Sequence, residues 1–345
     1  MTTPSHSASL RWGIFATGRI AGVFARDLTT SRSGKLHAVG SRRPETAKRF
    51  ADEHGIDAEH AHGSLAAFCA DPEIDAVYVA TPHPMHCEAV VAALEAGKHV
   101  LCEKPIAMTS VELEQMMAAA SASRRTLMEA WMYRCHPQTK RVVQLVQDGA
   151  IGELRHVQAA FSFSAPYDPA GRLWNKALGG GGILDVGGYP LSYSRLLAGV
   201  SMGEGFADPT SLQAVGKLHP ESGVDVQASA LLHFEHDVTA EISCGTQLTQ
   251  DNAVRVYGST GWIHVPSPYI VTRDASPTTI WLHREGADEP EAVVTTPDRG
   301  TYAYEADAFA AAVTAGELEV PECPWDDTRG NLAGQLQWCN LLAKP

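Results

Sequence analysis

The stretch RWGIFATGRIAG, residues 11–22, decides the fold. Its first five residues have the composition of a buried strand, and the residues from Ile20 onward have the apolar spacing of a helix. A short turn of small residues joins the two. A strand, a glycine-containing turn and a helix in this order begin a βαβ unit, so this stretch predicts a parallel sheet.

The same alternation continues to residue 130. Gly97 is placed to end one of the helices, and Thr109 with Glu112 predicts a capping box at the start of the next. We therefore predict an α/β N-terminal domain over residues 1–128, built on a doubly wound parallel sheet of the Rossmann type. The strand patterns after the first are LHAVG (36–40), DAVYVAT (75–81), HVLCE (99–103) and RTLMEA (125–130), and the helical patterns cover 45–54, 86–96 and 109–120.

From residue 129 onward, longer strands with strict alternation replace this pattern. In VDVQASALLHF (224–234), every second residue is apolar, and GSTG (258–261) is a tight turn between two such runs. Strands with one apolar and one polar face are typical of antiparallel sheets. We predict an α+β C-terminal domain over residues 129–345, with a large, mainly antiparallel sheet and two last helices over 302–315 and 325–342.

Composition excludes several classes of protein. The formal net charge of the 345 residues is -13, without a Lys/Arg cluster, which argues against a nucleic-acid or membrane-surface partner. The seven cysteines form no CxxC pair, so neither a disulfide framework nor a metal site is expected. No run approaches the roughly 18 apolar residues of a membrane span. We expect a cytoplasmic protein.

The turn after the first strand suggests a phosphate site. In a GxGxxG frame its positions are Ala16, Gly18 and Ala21, so only the middle glycine is present, the one that lets the backbone approach a phosphate. The helix that follows offers its N-terminus to a pyrophosphate. Small residues that serve packing alone are the alternative. The predicted cofactor-binding residues of this turn are Ala16, Thr17, Gly18, Arg19 and Ile20.

The end of the second strand distinguishes between cofactors. NAD-binding enzymes usually have an acid there, which binds the ribose 2′-hydroxyl. Here the sequence is GSRRPE, with Ser41 and Arg42 and no acid before Glu45. A guanidinium suits a 2′-phosphate, so NADP(H) is favoured and NAD(H) remains possible. The alternative is a solvated surface turn.

Five blocks of the chain resemble the Gfo/Idh/MocA family, in its glucose–fructose oxidoreductase and dimeric dihydrodiol dehydrogenase branch. They are WGIFATGRIA, VYVATPHPMHCEAV, CEKPIAMT, EAWMYRCHPQ and GGGGILDVGGYP, and their order and spacing hold over nearly the whole chain. The resemblance implies that Glu-Lys-Pro lies beside the nicotinamide, with a cis bond between Lys104 and Pro105. It also implies cofactor contacts from Thr81, Pro82, His83, His86, Glu103, Lys104 and Arg134.

The resemblance further implies the catalytic residues. The family pattern is an aspartate followed four residues later by histidine or tyrosine, which here are Asp185 and Tyr189. We expect them on one face of a helix, with Tyr189 and Lys104 moving a proton and Asp185 orienting the substrate hydroxyl. Arg172 and Trp174 are expected, with Asp185 and Tyr189, to bind the substrate, although a core tryptophan is equally consistent with the sequence.

These observations predict an NADP(H)-preferring oxidoreductase. It would transfer hydride between the nicotinamide and a secondary alcohol or carbonyl of a sugar, cyclic polyol or trans-dihydrodiol. The alternatives are an NAD-dependent lyase or glycosidase of the same fold with transient redox chemistry, and a non-catalytic cofactor-binding sensor. The long C-terminal sheet suggests a homodimer or homotetramer.

Overall fold

The computed structural model describes residues 9–272 and 274–343, which group into two units. The first contains the described chain up to Cys135, a short segment at 274–275 and the later segment Asp298–Trp325. The second contains His136–Thr272, Ser276–Pro297 and the chain from Asp326 onward. The predicted domain boundary between residues 128 and 129 stays a prediction. That prediction assigns residues 298–325 to the C-terminal domain, whereas here they group with the first unit.

The first unit is built on a six-stranded parallel sheet with strand order β3-β2-β1-β4-β5-β6. The predicted doubly wound α/β architecture is therefore confirmed. Its strands are β1 (Leu10–Phe15), β2 (Gly34–Gly40), β3 (Ala61–His62), β4 (Ala76–Val79), β5 (His99–Glu103) and β6 (Leu127–Ala130). Its helices are α1 (Arg19–Leu28), α2 (Pro44–His54), α3 (Leu65–Ala70), α4 (His86–Glu95), α5 (Ser110–Ser123), α6 (Met132–Cys135) and, from the later segment, α9 (Thr301–Ala315).

An aromatic core explains why the later segment belongs to this unit. The Phe24 ring stacks on Tyr78 with 3.9 Å between centroids, and Trp12 lies 5.2 Å from Phe309 of α9. All four side chains are fully buried. Burial of large aromatic rings dominates the energetics of a core, so Phe309 fixes α9 against the sheet.

The second unit contains an eight-stranded sheet in the order β14-β13-β12-β11-β7-β10-β9-β8, in which only the β7–β10 pair is parallel. The predicted mainly antiparallel sheet is confirmed, although β8, β13 and β14 were not predicted as strands. Its strands are β7 (Leu154–Ser162), β8 (Ser211–Leu218), β9 (Asp225–His233), β10 (Thr239–Gly245), β11 (Val254–Gly258), β12 (Gly261–Val265), β13 (Thr278–Arg284) and β14 (Glu291–Thr295). Its helices are α7 (Pro137–Gln147), α8 (Gly188–Ser201) and α10 (Trp325–Leu342).

The predicted helices are present, although α5 continues to Ser123, beyond the predicted end at residue 120, and its capping box differs in detail. Thr109 precedes α5 and its side chain accepts the amide N–H of Glu112, as in a capping box. The Glu112 carboxylate, however, accepts the N–H of Met108 rather than that of Thr109.

Among the helices of the described residues, none has both the length and the apolar character needed to cross a membrane.

Candidate active site

The turn between β1 and α1 leaves its backbone open to a ligand. Ala16 has a φ of 126°, a conformation that glycine adopts more readily, and its N–H donates to the Gly40 carbonyl at 3.0 Å. Gly18 precedes α1 and has no neighbouring atom within 4 Å of the position that a Cβ would take. Packing therefore does not require a glycine there, whereas close approach of a phosphate to the N-terminus of α1 does.

A groove at the carboxyl ends of the parallel strands collects most of the predicted cofactor residues, and we call it the edge groove. Ala16 and Thr17 line it from the first turn, Ser41 and Arg42 from the end of β2, and Thr81 and Pro82 from the end of β4. Among the described residues that line it, none is acidic. The remaining lining residues are Phe15, Arg43, Thr46 and Met85.

The other predicted residues of the first turn lie beside the edge groove. Gly18 and Arg19 are exposed and Ile20 is half-buried at the start of α1. Gly18 and Arg19 line a second, neighbouring depression that shares Thr17 with the edge groove. The structure thus brings the predicted phosphate turn and the predicted ribose-binding residues to one edge of the parallel sheet, where open α/β sheets bind their ligands.

Lys104 follows β5 in a tight turn of residues 103–106, which we call the EKP turn. Lys104 is partly exposed, and its bond to Pro105 is cis, as predicted. Glu103 is buried; one of its oxygens accepts a short hydrogen bond from the Tyr78 hydroxyl, and the other accepts the Lys104 N–H at 3.2 Å. Glu103 therefore helps to position the backbone of Lys104.

His86 also anchors the EKP turn, through the carbonyl oxygen of Pro105. Its ring is fully buried, with Nδ1 3.0 Å from the carbonyl oxygen of Pro105 and Nε2 2.9 Å from that of Thr81. Burial lowers the pKa of His86, so the ring is neutral and donates to one of the two carbonyl oxygens at a time. His86 joins the turn after β4 to the EKP turn. It does not line the edge groove.

Three further buried side chains lie around these turns. The Glu129 carboxylate accepts the N–H of Ile106 at 3.0 Å, which adds a third anchor to the EKP turn. His83 is buried, with its ring 5.7 Å from that of His86. Arg134 is also buried, and its Nε donates to the carbonyl oxygen of Glu322 at 3.2 Å.

Asp185 lies after a run of four glycines, residues 179–182, which we call the glycine turn. The predicted α-helical spacing of Asp185 and Tyr189 is wrong in detail, because Ile183–Gly187 forms a π-helical turn and only then does α8 begin. Single π turns inside helices are frequent at functional sites. The Arg172 guanidinium donates to Asp185 at 2.6 Å, so these two predicted substrate residues are together.

Asp225, which the sequence analysis missed, holds the glycine turn in place. Its carboxylate accepts the N–H of Ile183 at 2.7 Å, and a Cβ at Gly181, where φ is 111°, would lie 2.3 Å from its Oδ1. Burial raises the pKa of Asp225 to about 6, although backbone N–H groups oppose the rise. Asp225 stands at one of the polar positions that alternate with the apolar ones in β9, so the alternation did not distinguish it from the other polar residues.

Tyr189 and Trp174 are both largely buried. The Tyr189 ring lies 5.0 Å from that of Phe161 and 5.4 Å from that of Tyr269. Trp174 packs against Val224 and Val226, with 4% of its surface exposed. The structure therefore uses Trp174 as a core residue, whereas its role in a substrate wall stays a prediction.

The fold and the edge groove define an NAD(P)-binding oxidoreductase. Residues 10–130 match the model of the oxidoreductase family with an NAD-binding Rossmann fold, and residues 139–264 match the GFO/IDH/MocA C-terminal domain. The chain belongs to the GFO/IDH/MocA family, which confirms the resemblance found in the sequence.

Characterised relatives span several substrates. The chain is 32% identical over 322 residues to trans-1,2-dihydrobenzene-1,2-diol dehydrogenase from Mus musculus, and 92% of each protein is covered. It is similar to the aldose-aldose oxidoreductase from Caulobacter crescentus complexed with glycerol, with a TM-score of 0.85, 25% identity and coverage of 96% and 97%. A 3-ketoreductase from Actinomadura kijaniata in complex with NADP and TDP-benzene gives a TM-score of 0.79, 29% identity and coverage of 94% and 95%.

Proposed function

We propose that this protein is an NADP(H)-preferring dehydrogenase or reductase that acts on a CH–OH group of a sugar, a cyclic polyol or a trans-dihydrodiol. The observation that supports it most is the edge groove, where Ser41 and Arg42 replace the acid of NAD-binding enzymes. Relatives named for a dihydrodiol and for an aldose, and one named a 3-ketoreductase, support the substrate class.

The cofactor preference rests on the charge at the end of β2. The Ser41 hydroxyl lies 2.6 Å from that of Thr46, and Arg42 is exposed beside it. Among the described residues, no hydrogen bond or ion pair involves the Arg42 guanidinium, so it is available to a dianion. A 2′-phosphate accepts a bidentate pair of hydrogen bonds from such a group, whereas a ribose 2′-hydroxyl does not need one.

The proposed catalytic residues have different roles in one proton transfer. A bound nicotinamide would supply or accept the hydride. Tyr189 and Lys104 would move the proton of the substrate hydroxyl, and Lys104 would stabilise the negative charge that develops on that oxygen. Asp185, oriented by Arg172, would hold the substrate hydroxyl. Of the remaining predicted cofactor residues, we propose that Arg134 and His83 act near the nicotinamide, while His86 and Glu103 position the EKP turn.

We also propose a homodimer or homotetramer. The second unit's sheet exposes large apolar side chains, with Val215 exposed at 72%, Val294 at 59% and Leu231 at 58%. Apolar residues on strands near both edges of one sheet suit a self-complementary interface. All seven cysteines are free thiols, which supports the cytoplasm as the compartment.

The test is a panel of aldoses, inositols and trans-dihydrodiols assayed with NADP and NAD by the absorbance of the reduced cofactor. We expect net cofactor reduction with at least one class and a higher kcat/KM with NADP. Arg42→Ala should narrow that preference by about 1–3 kcal/mol, the worth of charged hydrogen bonds. Equal kcat/KM values for the two cofactors in the wild type would refute the preference. Product formation without net cofactor turnover would indicate the lyase or glycosidase chemistry instead.

A further inference from the structure

Five side chains of the first unit converge outside the edge groove and have no part in the proposed reaction. His37 lies in β2, His60 and His62 lie at β3, and Asp71 and Glu73 lie between α3 and β4. Within this histidine–carboxylate cluster, there are two sets of three residues in which one ligand atom from each residue lies within 4.8 Å of the others. The sets share His60, and one contains His37 and Glu73 whereas the other contains His62 and Asp71.

Asp71 determines which nitrogen of His60 can bind an ion. Its Oδ2 lies 2.8 Å from His60 Nδ1 and 2.9 Å from His62 Nε2, and its side chain is 5% exposed. A carboxylate can only accept hydrogen bonds, so both of those nitrogens carry a proton. The lone pair of His60 is therefore on Nε2, on the far side of its ring. Metal-binding histidines commonly have such a carboxylate behind them.

The atoms in front of His60 have the spacing of metal ligands. His60 Nε2 lies 3.2 Å from Glu73 Oε2, and His37 Nε2 lies 3.7 Å from the same oxygen. Ligands about 2.0–2.1 Å from a tetrahedral ion lie about 3.3 Å apart, so an ion fits between these atoms after small movements. His37 Nε2 is enclosed and makes no hydrogen bond with the described residues.

The position of Glu73 is fixed by its neighbours. Lys98 Nζ donates to the carbonyl oxygen of Asp71 at 2.6 Å, and Glu73 N–H donates to Asp71 Oδ1 at 2.8 Å. Arg11 binds Asp75 through two nitrogens at 2.9 and 3.0 Å, and its Nη1 lies 3.5 Å from Glu73 Oε1. Asp75 balances the charge of Arg11. One oxygen of Glu73 thus faces Arg11 and the other faces the two imidazoles.

We propose that His37, His60 and Glu73 bind one divalent transition-metal ion of the zinc type, with water completing the coordination. Two imidazoles and one carboxylate suit Zn²⁺, Ni²⁺ or Co²⁺ better than Mg²⁺ or Ca²⁺, which prefer oxygen ligands. The Glu73 side chain is 52% exposed, so the ion can enter from solvent. The ion would join β2, the segment before β3 and the α3–β4 connection, and so stabilise the strand that ends beside Ser41.

The test uses the full-length protein after treatment with a chelator, titrated with Zn²⁺ and Co²⁺ by calorimetry and thermal melting. We expect one equivalent of metal per chain, a rise in Tm that saturates with it, and visible absorption bands from bound Co²⁺. Glu73→Gln and His37→Gln should each weaken Kd at least tenfold. The matched control, Glu95→Gln on the exposed face of α4, should leave Kd unchanged.

The His62→Gln variant tests whether His62 binds the metal or only contacts Asp71 behind the proposed ligand His60. It leaves the three proposed ligands in place and removes only a contact to Asp71, so it should weaken Kd less than His37→Gln. Circular dichroism establishes that each variant is folded before its Kd is compared. Absence of saturable binding in the wild type would overturn the proposal. Equal affinity of all folded variants would overturn it too, because the metal would then bind histidines elsewhere.

Discussion

The EKP turn of the first unit has a buried base among its anchors, whereas the glycine turn of the second is held by a buried acid. In the EKP turn, the neutral imidazole of His86 lies against two backbone carbonyl oxygens, one of them directly after Lys104. In the glycine turn, the carboxylate of Asp225 accepts the backbone N–H of Ile183, two residues before Asp185. The carboxylates of Glu103 and Glu129 also hold the EKP turn, so the buried base His86 is the anchor that distinguishes it from the glycine turn.

This difference gives the two turns opposite responses to pH. Burial lowers the pKa of His86, so the stability from this anchor is present above the unfolded value of about 6.5 and is lost as the pH falls below it. Burial raises the pKa of Asp225 from 3.8 to about 6, so its contribution to stability is present below 3.8 and is lost as the pH rises to about 6. Acid weakens one anchor and strengthens the other.

The largest effect, on kcat, is expected when Lys104 of the EKP turn is replaced. Lys104→Met keeps the apolar stem and deletes the charge, and we expect kcat to fall by about 10²–10⁴, the usual worth of general acid–base catalysis. Cofactor affinity and Tm should change little, because Lys104 is partly exposed. Steady-state kinetics, cofactor titration and thermal melting measure the three quantities.

Lys35→Met, at an exposed position of β2, is the control and should leave kcat unchanged. Tyr189→Phe should lower kcat in the same way from the second unit, and the double variant should lose less than the sum if both groups serve one proton transfer. A Lys104→Met variant that unfolds while its folded fraction turns over normally would make the lysine a structural residue.

A smaller effect, on the pH dependence of stability, is expected when Asp225 is replaced by asparagine, which carries no charge. The rise in the pKa of Asp225 corresponds to about 3 kcal/mol, at about 1.4 kcal/mol per pKa unit. Between pH 4 and pH 6.5 the wild type should therefore lose up to about that much stability relative to Asp225→Asn. Denaturant unfolding of both proteins across this range measures the difference. Parallel stability curves would contradict it, and the exposed Asp288→Asn variant should follow the wild type.

The EKP turn was predictable and the anchor of the glycine turn was not, for a physical reason. Strand, turn and helix signals are local in the chain, so the parallel sheet and the position of Lys104 at its edge follow from short patterns. Asp225 meets Ile183 across 42 residues, and no local pattern encodes that pairing. The π turn at Asp185 has more residues per turn than an α-helix, so the i, i+4 spacing rule for α-helices does not predict it. The sequence is consistent with Trp174 either in the core or in a substrate site. Its place in the core could therefore be established only from the observed contacts.

The smallest expected effect tests the base anchor, through a change that leaves every proposed catalytic group in place. His86→Gln keeps a donor but removes the rigid ring whose two nitrogens lie against the carbonyl oxygens of Thr81 and Pro105. The EKP turn should then hold Lys104 less firmly, so kcat should fall about tenfold while KM for the cofactor changes less. The free energy of unfolding should fall by about 1–3 kcal/mol, because the more flexible amide leaves the buried carbonyl oxygen that the ring bonds less well satisfied.

The pH dependence distinguishes a positioning role from simple loss of packing. Because the folded state disfavours a protonated His86, the wild type should lose stability relative to His86→Gln on acidification from pH 7.5 to pH 5.5. Val111→Gln, at an exposed position of α5, is the control and should keep the wild-type slope. If His86→Gln also keeps that slope and the wild-type kcat, the EKP turn is held by Glu103 and Glu129 alone, and the contrast between the two anchors fails.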